Sequence, residues 1–409
     1  MKAEIISVGT EILLGDIVNT NSQYLARELA NMGIEVYYQS TVGDNEERIL
    51  NAFEESLKRN DIVITTGGLG PTNDDITKEV ACKYFGQELV LNEPSLEKIS
   101  NYFKRLNIKL SDNNKKQAYF PKEAIILENN HGTAPGAILK KDNKMIVVLP
   151  GPPREMKPMF EDAVKPYLEK YTNSVLVSRI LRTFGIGESL LEEEIIDIIK
   201  EQTNPTIAPY AKDSEAILRI TAKADNKEEA ENLIKPVVDK IKERVGEYIY
   251  GEGETSLEDE VSKLLVKKNL TIAVAESCTG GLVSSSLINY PGISSVFMEG
   301  CVTYSNEAKI SRLGVKKETL DKYGAVSEQT AMEMAKGIAK NLNTNIGLAT
   351  TGIAGPQGGS EEKPVGLVYI GIYINGETFV RKFVFNGERQ MIRLRATKNI
   401  LNELRLKLL

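Results

Sequence analysis

Twice in this chain a short apolar run stops at a glycine turn and gives way to a helical pattern. Asp61-Ile62-Val63-Ile64-Thr65 ends at Gly67-Gly68, and Thr271-Ile272-Ala273-Val274-Ala275 runs into Glu276-Ser277-Cys278-Thr279-Gly280-Gly281. A run with no polar alternation belongs in a strand covered on both faces, which means a mostly parallel sheet between helical layers. Around the first run the rhythm continues. Ile5–Val8 reads as a strand, Thr20–Met32 as a helix stopped by Gly33, and Asn45–Lys58 as a helix with Ile49, Leu50, Phe53 and Leu57 on one face. Further strands are expected at Ala124–Leu127, Gly136–Leu139 and Met145–Leu149.

Beyond Tyr171 the order changes to β-α-β-β-α-β: Val175–Phe184, Leu190–Ile199, Thr206–Ala208, Glu215–Lys223, Lys227–Val245 and Tyr248–Tyr250. That is the split order of a small two-layer α+β module. Gly251-Glu252-Gly253-Glu254-Thr255 reads as a linker. The alternation then resumes with a helix at Leu257–Lys268, a strand ending near Tyr304, helices at Ser305–Leu313 and Ser327–Leu342, and a strand at Ile346–Thr350. A hairpin turning at Asn375-Gly376 and a closing helix from Glu388 complete it. The expected fold is α/β with three domains: 1–170, 171–252 and 253–409.

Hydrophobic residues make up 41% of the 409, and the 51 Lys+Arg against 57 Asp+Glu leave a net charge of −6. That balance argues against wrapping nucleic acid or lying on an anionic membrane. No apolar run approaches the ~18–20 residues a bilayer span needs, and because Met1 is followed directly by a strand-like segment a signal peptide is not expected. Cys82, Cys278 and Cys301 lack CxxC spacing, which fits a reducing cytoplasm without structural zinc. His131 is the single histidine.

The first glycine loop, Gly67-Gly68-Leu69-Gly70-Pro71-Thr72, leads to Asp74 and Asp75. Glycines there let backbone N–H groups approach a phosphate. Asp74 and Asp75, joined by Glu11 and Asp16 from the loop after the first strand, are expected at the carboxyl edge of the sheet, placed to hold a divalent metal against a pyrophosphate. Pro150-Gly151-Pro152-Pro153 with Arg154 and Glu155 supplies a further wall. The plainer alternative makes Gly67-Gly68 a turn and the aspartates helix caps.

At the second turn Ser277 is placed like an exposed nucleophile beside backbone amides. His131 lies more than a hundred positions upstream, so a lysine is the next available base. Lys309 stands one helical turn beyond Ser305, with Tyr304 expected to relay a proton between Lys309 and Ser277. Glu276, Thr279, Gly280 and Gly281, together with Thr351, Gly352, Ala354 and Gly355 of a second loop, are the expected substrate contacts. Cys278 is the rival nucleophile, and a solvated helix residue is the plain alternative for Lys309.

With these residues in view, the chain resembles the competence/damage-inducible CinA family over its whole length. The first domain is similar to molybdopterin-binding domains through Val8-Gly9-Thr10-Glu11-Ile12-Leu13-Leu14-Gly15-Asp16 and the Gly67–Asp75 loop. The last is similar to nicotinamide mononucleotide deamidases through Ala275–Gly281, Tyr304–Lys309, Tyr323–Ser327 and Gly352–Gly359. The resemblance implies catalytic Ser277, Tyr304 and Lys309. It also implies an ADP-ribose pyrophosphatase using Mg, Mn or Co at Asp74, Asp75 and Glu11, with Gly67, Gly68, Gly70 and Thr72 as substrate contacts. Arg389 or Arg393 matches a family arginine. The middle module is KH-like in the family but lacks a GxxG loop and a basic stripe here. The expected whole is a cytoplasmic bifunctional hydrolase and homodimer with small-molecule substrates. The alternatives are a molybdopterin- or nucleotide-binding module without hydrolysis and a scaffold in DNA uptake.

Overall fold

The computed structural model describes residues 1–172, 174–212 and 215–409. It is mixed α/β, and the chain divides into two compact units, 1–178 with 221–236 and 179–220 with 237–409.

The first unit is built on six strands: β1 (Lys2–Val8), β2 (Glu35–Val42), β3 (Ile62–Thr66), and, after a two-residue ribbon of β4 (Val90–Leu91) with β5 (Tyr119–Phe120), β6 (Ile125–Leu127), β7 (Gly136–Lys141) and β8 (Lys144–Leu149). Their order is β2-β1-β3-β8-β7-β6, parallel from β2 to β8 and antiparallel for β7 and β6. All five residues of β3 are buried, because both faces are covered. Leu25 and Leu29 pack on one face with Phe160 and Leu168, and Ile49, Phe53 and Leu57 pack on the other with Val80 and Phe85. The 46–59 helix forms because Ile49, Phe53 and Leu57 share one stripe. Asn45 caps it by accepting from the Arg48 N–H at 3.1 Å.

The KH-like strands are β9 (Val175–Thr183), β10 (Thr206–Lys212), β11 (Glu215–Ala224) and β12 (Ile249–Glu252), ordered β10-β11-β9-β12. The expected linker is not free chain. Gly251 and Glu252 belong to β12, the Gly253 N–H donates to the Ile180 carbonyl at 2.8 Å, and Arg182 Nε donates to the Gly253 carbonyl at 2.7 Å.

The last sheet joins β13 (Ile272–Glu276), β14 (Phe297–Val302), β15 (Ile346–Gly352), β16 (Leu367–Ile374) and β17 (Glu377–Val384) in the order β14-β13-β15-β16-β17. β14, β13 and β15 are parallel, and β16 and β17 add the antiparallel hairpin. Ile272 and Val274 face the helices 257–268 and 389–408, whereas Ala273 and Ala275 face Leu313, Met334 and Ile338. Phe184 and Tyr250 of the KH-like strands pack into the former cluster, and buried Arg405 donates to the carbonyls of Ile249 and Glu247.

A fragment beginning at Thr255 therefore loses the cover of Phe184 and Tyr250. Its resistance to urea-pulse proteolysis is expected to fall by about 2–4 kcal/mol relative to the same segment in the full chain. Equal resistance would show that these contacts contribute nothing.

Candidate functional site

At the carboxyl edge of the first sheet the Gly67–Gly70 loop leaves β3 under tight constraint. A Cβ on Gly67 would lie 2.0 Å from the Val8 carbonyl oxygen, and one on Gly68 2.1 Å from Thr77 Oγ1, with φ of +107° and +68°. Only glycine fits. A cleft of about 550 Å³ opens here, walled by Glu11, Asn21, the glycine loop, Asp74, Asp75 and Pro150–Pro153. The structure thus gathers Glu11, Asp74 and Asp75 around one opening.

It does not join them into a metal centre. Among the described residues no group of three or more His, Cys, Asp or Glu side chains is arranged to hold an ion. Asp75 is spent on the loop: the Thr72 N–H and hydroxyl donate to its Oδ2 at 3.0 and 2.5 Å. Lys116 Nζ ties the same loop by donating to the Asp75 carbonyl at 3.0 Å and to that of Thr72. Thr72 therefore serves the loop with its donors, contrary to a substrate-binding role for them. Asp74 is exposed, and the donors of the loop around it, its own backbone N–H among them, hold its carboxyl below the ordinary pKa.

The second site sits where β13 ends. Glu276 is wholly buried and accepts from the Thr279 hydroxyl (2.6 Å), the N–H groups of Gly281 (2.8 Å), Val283 (3.2 Å) and Ser284 (2.8 Å), and the Ser284 hydroxyl (2.7 Å). Thr279, also buried, shares a hydrogen bond with Thr350. Thr351 is buried and donates to the Ala325 carbonyl at 2.7 Å. These three side chains, expected to contact substrate, instead frame the turn, since their polar atoms are already committed inside the protein.

Ser277 follows, 9% exposed, with its N–H on the Thr350 carbonyl. Lys309 is 1% exposed and brings Nζ to 3.3 Å from Ser277 Oγ, 2.8 Å from the Thr303 carbonyl and 3.0 Å from the Tyr304 carbonyl. Burial lowers its pKa. Lys309 is thus no solvated helix residue. Ser305 caps the helix Asn306–Leu313 that carries it.

Tyr304 does not stand between Ser277 and Lys309. Its ring is 63% exposed, its hydroxyl accepts from Arg389 Nη2 at 3.4 Å, and only its carbonyl meets Lys309. The relay through its phenol is corrected to a direct Ser277–Lys309 contact. Arg389 also donates to the Gly355 carbonyl at 2.8 Å, closing Gly352–Gly355 against Tyr304, with Ala354 buried behind. Arg393 lies deeper, donating to the Thr279 carbonyl at 2.7 Å, with its Nη2 3.1 Å from where a Cβ on Gly280 would stand. Cys278 points into the opposite cluster, and burial pushes its thiol up to about 12. Thr303 is the residue that sequence reading passed over. It is 2% exposed, and its hydroxyl has no hydrogen-bond partner among the described residues.

Residues 254–408 match the family described as "CinA C-terminal domain", 178–251 the "Damage-inducible protein CinA KH domain", and 4–170 the "Probable molybdopterin binding domain". A protein of Clostridioides difficile (strain 630), whose name refers to competence-damage induction, is 70% identical across 100% of this chain and 99% of its own. The chain belongs to the CinA family. A "CinA-like protein" of Kosmotoga olearia is 60% identical over 100% of this chain and 99% of its own. The solved competence/damage-inducible protein of Agrobacterium tumefaciens is 40% identical over 38% of this chain and 96% of that one, with a TM-score of 0.36.

Because Asp75 fastens the loop, Asp75→Asn in this CinA-family chain is expected to loosen it, raising amide exchange at residues 68–75 by about tenfold while Asp74→Asn leaves it unchanged. Hydrogen exchange read by mass spectrometry decides; equal exchange in both variants would remove the anchor role.

Proposed function

We propose that Ser277 and Lys309 hydrolyse the carboxamide of nicotinamide mononucleotide, giving nicotinate mononucleotide and ammonia. The observation that carries this reading is the buried lysine amine 3.3 Å from a serine hydroxyl. Two carbonyls take two of its N–H bonds, so its remaining tetrahedral position faces Ser277 Oγ. In the neutral amine that position is the lone pair, and burial favours the neutral form.

Lys309 then takes the Ser277 proton as Oγ attacks the amide carbon. The tetrahedral intermediate collapses, the C–N bond breaks, and the nitrogen leaves as ammonia with the proton held by Lys309. Water, deprotonated by the same amine, hydrolyses the ester. Arg389, exposed beside Tyr304 and Gly355, is the cation this reading assigns to the substrate's phosphate. The substrate itself is the one the family resemblance implies.

For the first unit we propose binding of ADP-ribose and its cleavage to AMP and ribose 5-phosphate, supported by the cleft at the glycine loop. The donor set does not make a resident metal cage. Exposed Asp74 with Glu11 suits an Mg, Mn or Co ion carried in on the pyrophosphate, since such ions are commonly held by one or two carboxylates plus substrate oxygens. Binding of a nucleotide or molybdopterin without cleavage is the competing reading.

Ser277→Ala is expected to bring ammonia release to background with the circular dichroism spectrum unchanged, whereas Cys278→Ala keeps most of it. Loss confined to Cys278→Ala would reassign the nucleophile. Lys309→Met is expected to cost about 10²- to 10⁴-fold. The wild-type rate should climb with pH as Lys309 loses its proton, below the range of an ordinary lysine. The sign follows from the free base being the active form, and a rate that falls over that range would exclude Lys309 as base.

A chelator is expected to stop AMP release from ADP-ribose and to spare ammonia release. Parallel loss of both activities would defeat the two-site reading, and AMP release that persists would remove the ion.

A further inference from the structure

The β13–β14 ladder carries a second hydroxyl to the nucleophile. The two strands are parallel, with Ala275 opposite Cys301 and Glu276 opposite Val302. The Thr303 N–H donates to the Glu276 carbonyl at 2.8 Å, so the ladder continues one step and sets Thr303 beside Ser277. Side chains alternate along a strand, and in-register neighbours share a face at roughly 5 Å. Ala273, Ala275 and Cys301 all pack against the layer of Leu313 and Met334. Ser277 and Thr303 continue that series, on the side from which Lys309 enters.

Thr303 is also anchored on both sides of its side chain. Its N–H is held by the Glu276 carbonyl and its own carbonyl by Lys309 Nζ, yet its Oγ1 is buried with no hydrogen-bond partner among the described residues. A buried hydroxyl oxygen left unpaired is costly. Ser277 and Lys309 are engaged with each other and with backbone, so an acceptor remains for a donor that comes from outside.

We propose that Thr303 Oγ1 accepts a hydrogen bond from the carboxamide –NH₂ of the substrate. It thereby selects amides over esters and acids and places the departing nitrogen beside Lys309. This rests on the amidase reading of the same site. In the covalent step the Ser277 Oγ–carbon bond forms and the carbonyl π pair moves to oxygen, while Lys309 takes the serine proton. On collapse the C–N bond breaks, its electron pair goes to nitrogen, and Lys309 returns the proton there. Thr303 holds that nitrogen in line and neither gains nor loses a proton overall.

Thr303→Val keeps the branched shape and removes the acceptor, and Thr303→Ser restores it. The experiment compares ammonia release from nicotinamide mononucleotide with hydrolysis of p-nitrophenyl acetate, counting only the part that Ser277→Ala removes. The expected result is that Thr303→Val lowers amide turnover about 10- to 100-fold more than ester turnover, and that Thr303→Ser recovers the ratio. Equal loss on both substrates, or no loss on the amide, overturns the assignment and leaves the amidase reading standing. A wild-type chain that releases no ammonia overturns both.

Discussion

The Glu276 side chain, sealed from solvent at the end of β13, collects five hydrogen bonds from the turn and helix that follow it. The N–H groups of Gly281, Val283 and Ser284 would otherwise be unpaired at a helix start, and the buried carboxyl oxygens would lose partners that water cannot replace. Relaxing the turn therefore strands polar atoms on both sides at once. That mutual need fixes where Ser277 and Cys278 leave the strand, and the alternation of faces then sends Ser277 toward Lys309 and Cys278 into the apolar cluster.

Burial does two jobs for Lys309. It lowers the pKa, and it forces the amine to find protein acceptors, which the carbonyls of Thr303 and Tyr304 supply. Because β14 has just ended, those carbonyls have no strand partner to satisfy and are available. The end of an edge strand beside the Ser277 turn is thus a natural seat for a buried lysine amine, in a domain with no histidine.

Much of this was legible in the sequence because it lies in local pattern. The unbroken apolar runs at 62–64 and 272–275 announced doubly covered strands, and Asn375-Gly376 announced the hairpin, where both residues adopt positive φ. The pairing of Ser277 with Lys309 was legible from the absence of a nearby histidine. What failed was direction. Glu276, Thr279, Thr351 and Asp75 are polar residues at loop edges, and sequence does not say whether such a side chain faces the opening or braces the loop from behind. Tyr304 was misplaced for the same reason, since its backbone rather than its phenol meets the lysine. The linker at 251–255 misled because an acidic, glycine-bearing stretch reads as loose chain, although β12 runs through its first two residues.

The two glycine turns occupy the same place on their sheets, and their neighbours divide them into different tools. After β3 the glycines are demanded by backbone and a threonine hydroxyl that any Cβ would overlap, which leaves the outer rim to Asp74 and Glu11 facing an open cleft. After β13 the Glu276 carboxyl stands one residue before Ser277 and turns inward, so it braces the frame and leaves a neutral hydroxyl beside the lysine amine. An outward carboxylate rim suits a ligand that brings cations or hydrogen-bond donors. An inward carboxylate with a buried amine suits covalent attack on a neutral carbonyl, because the lysine can stay uncharged only where no anion faces it.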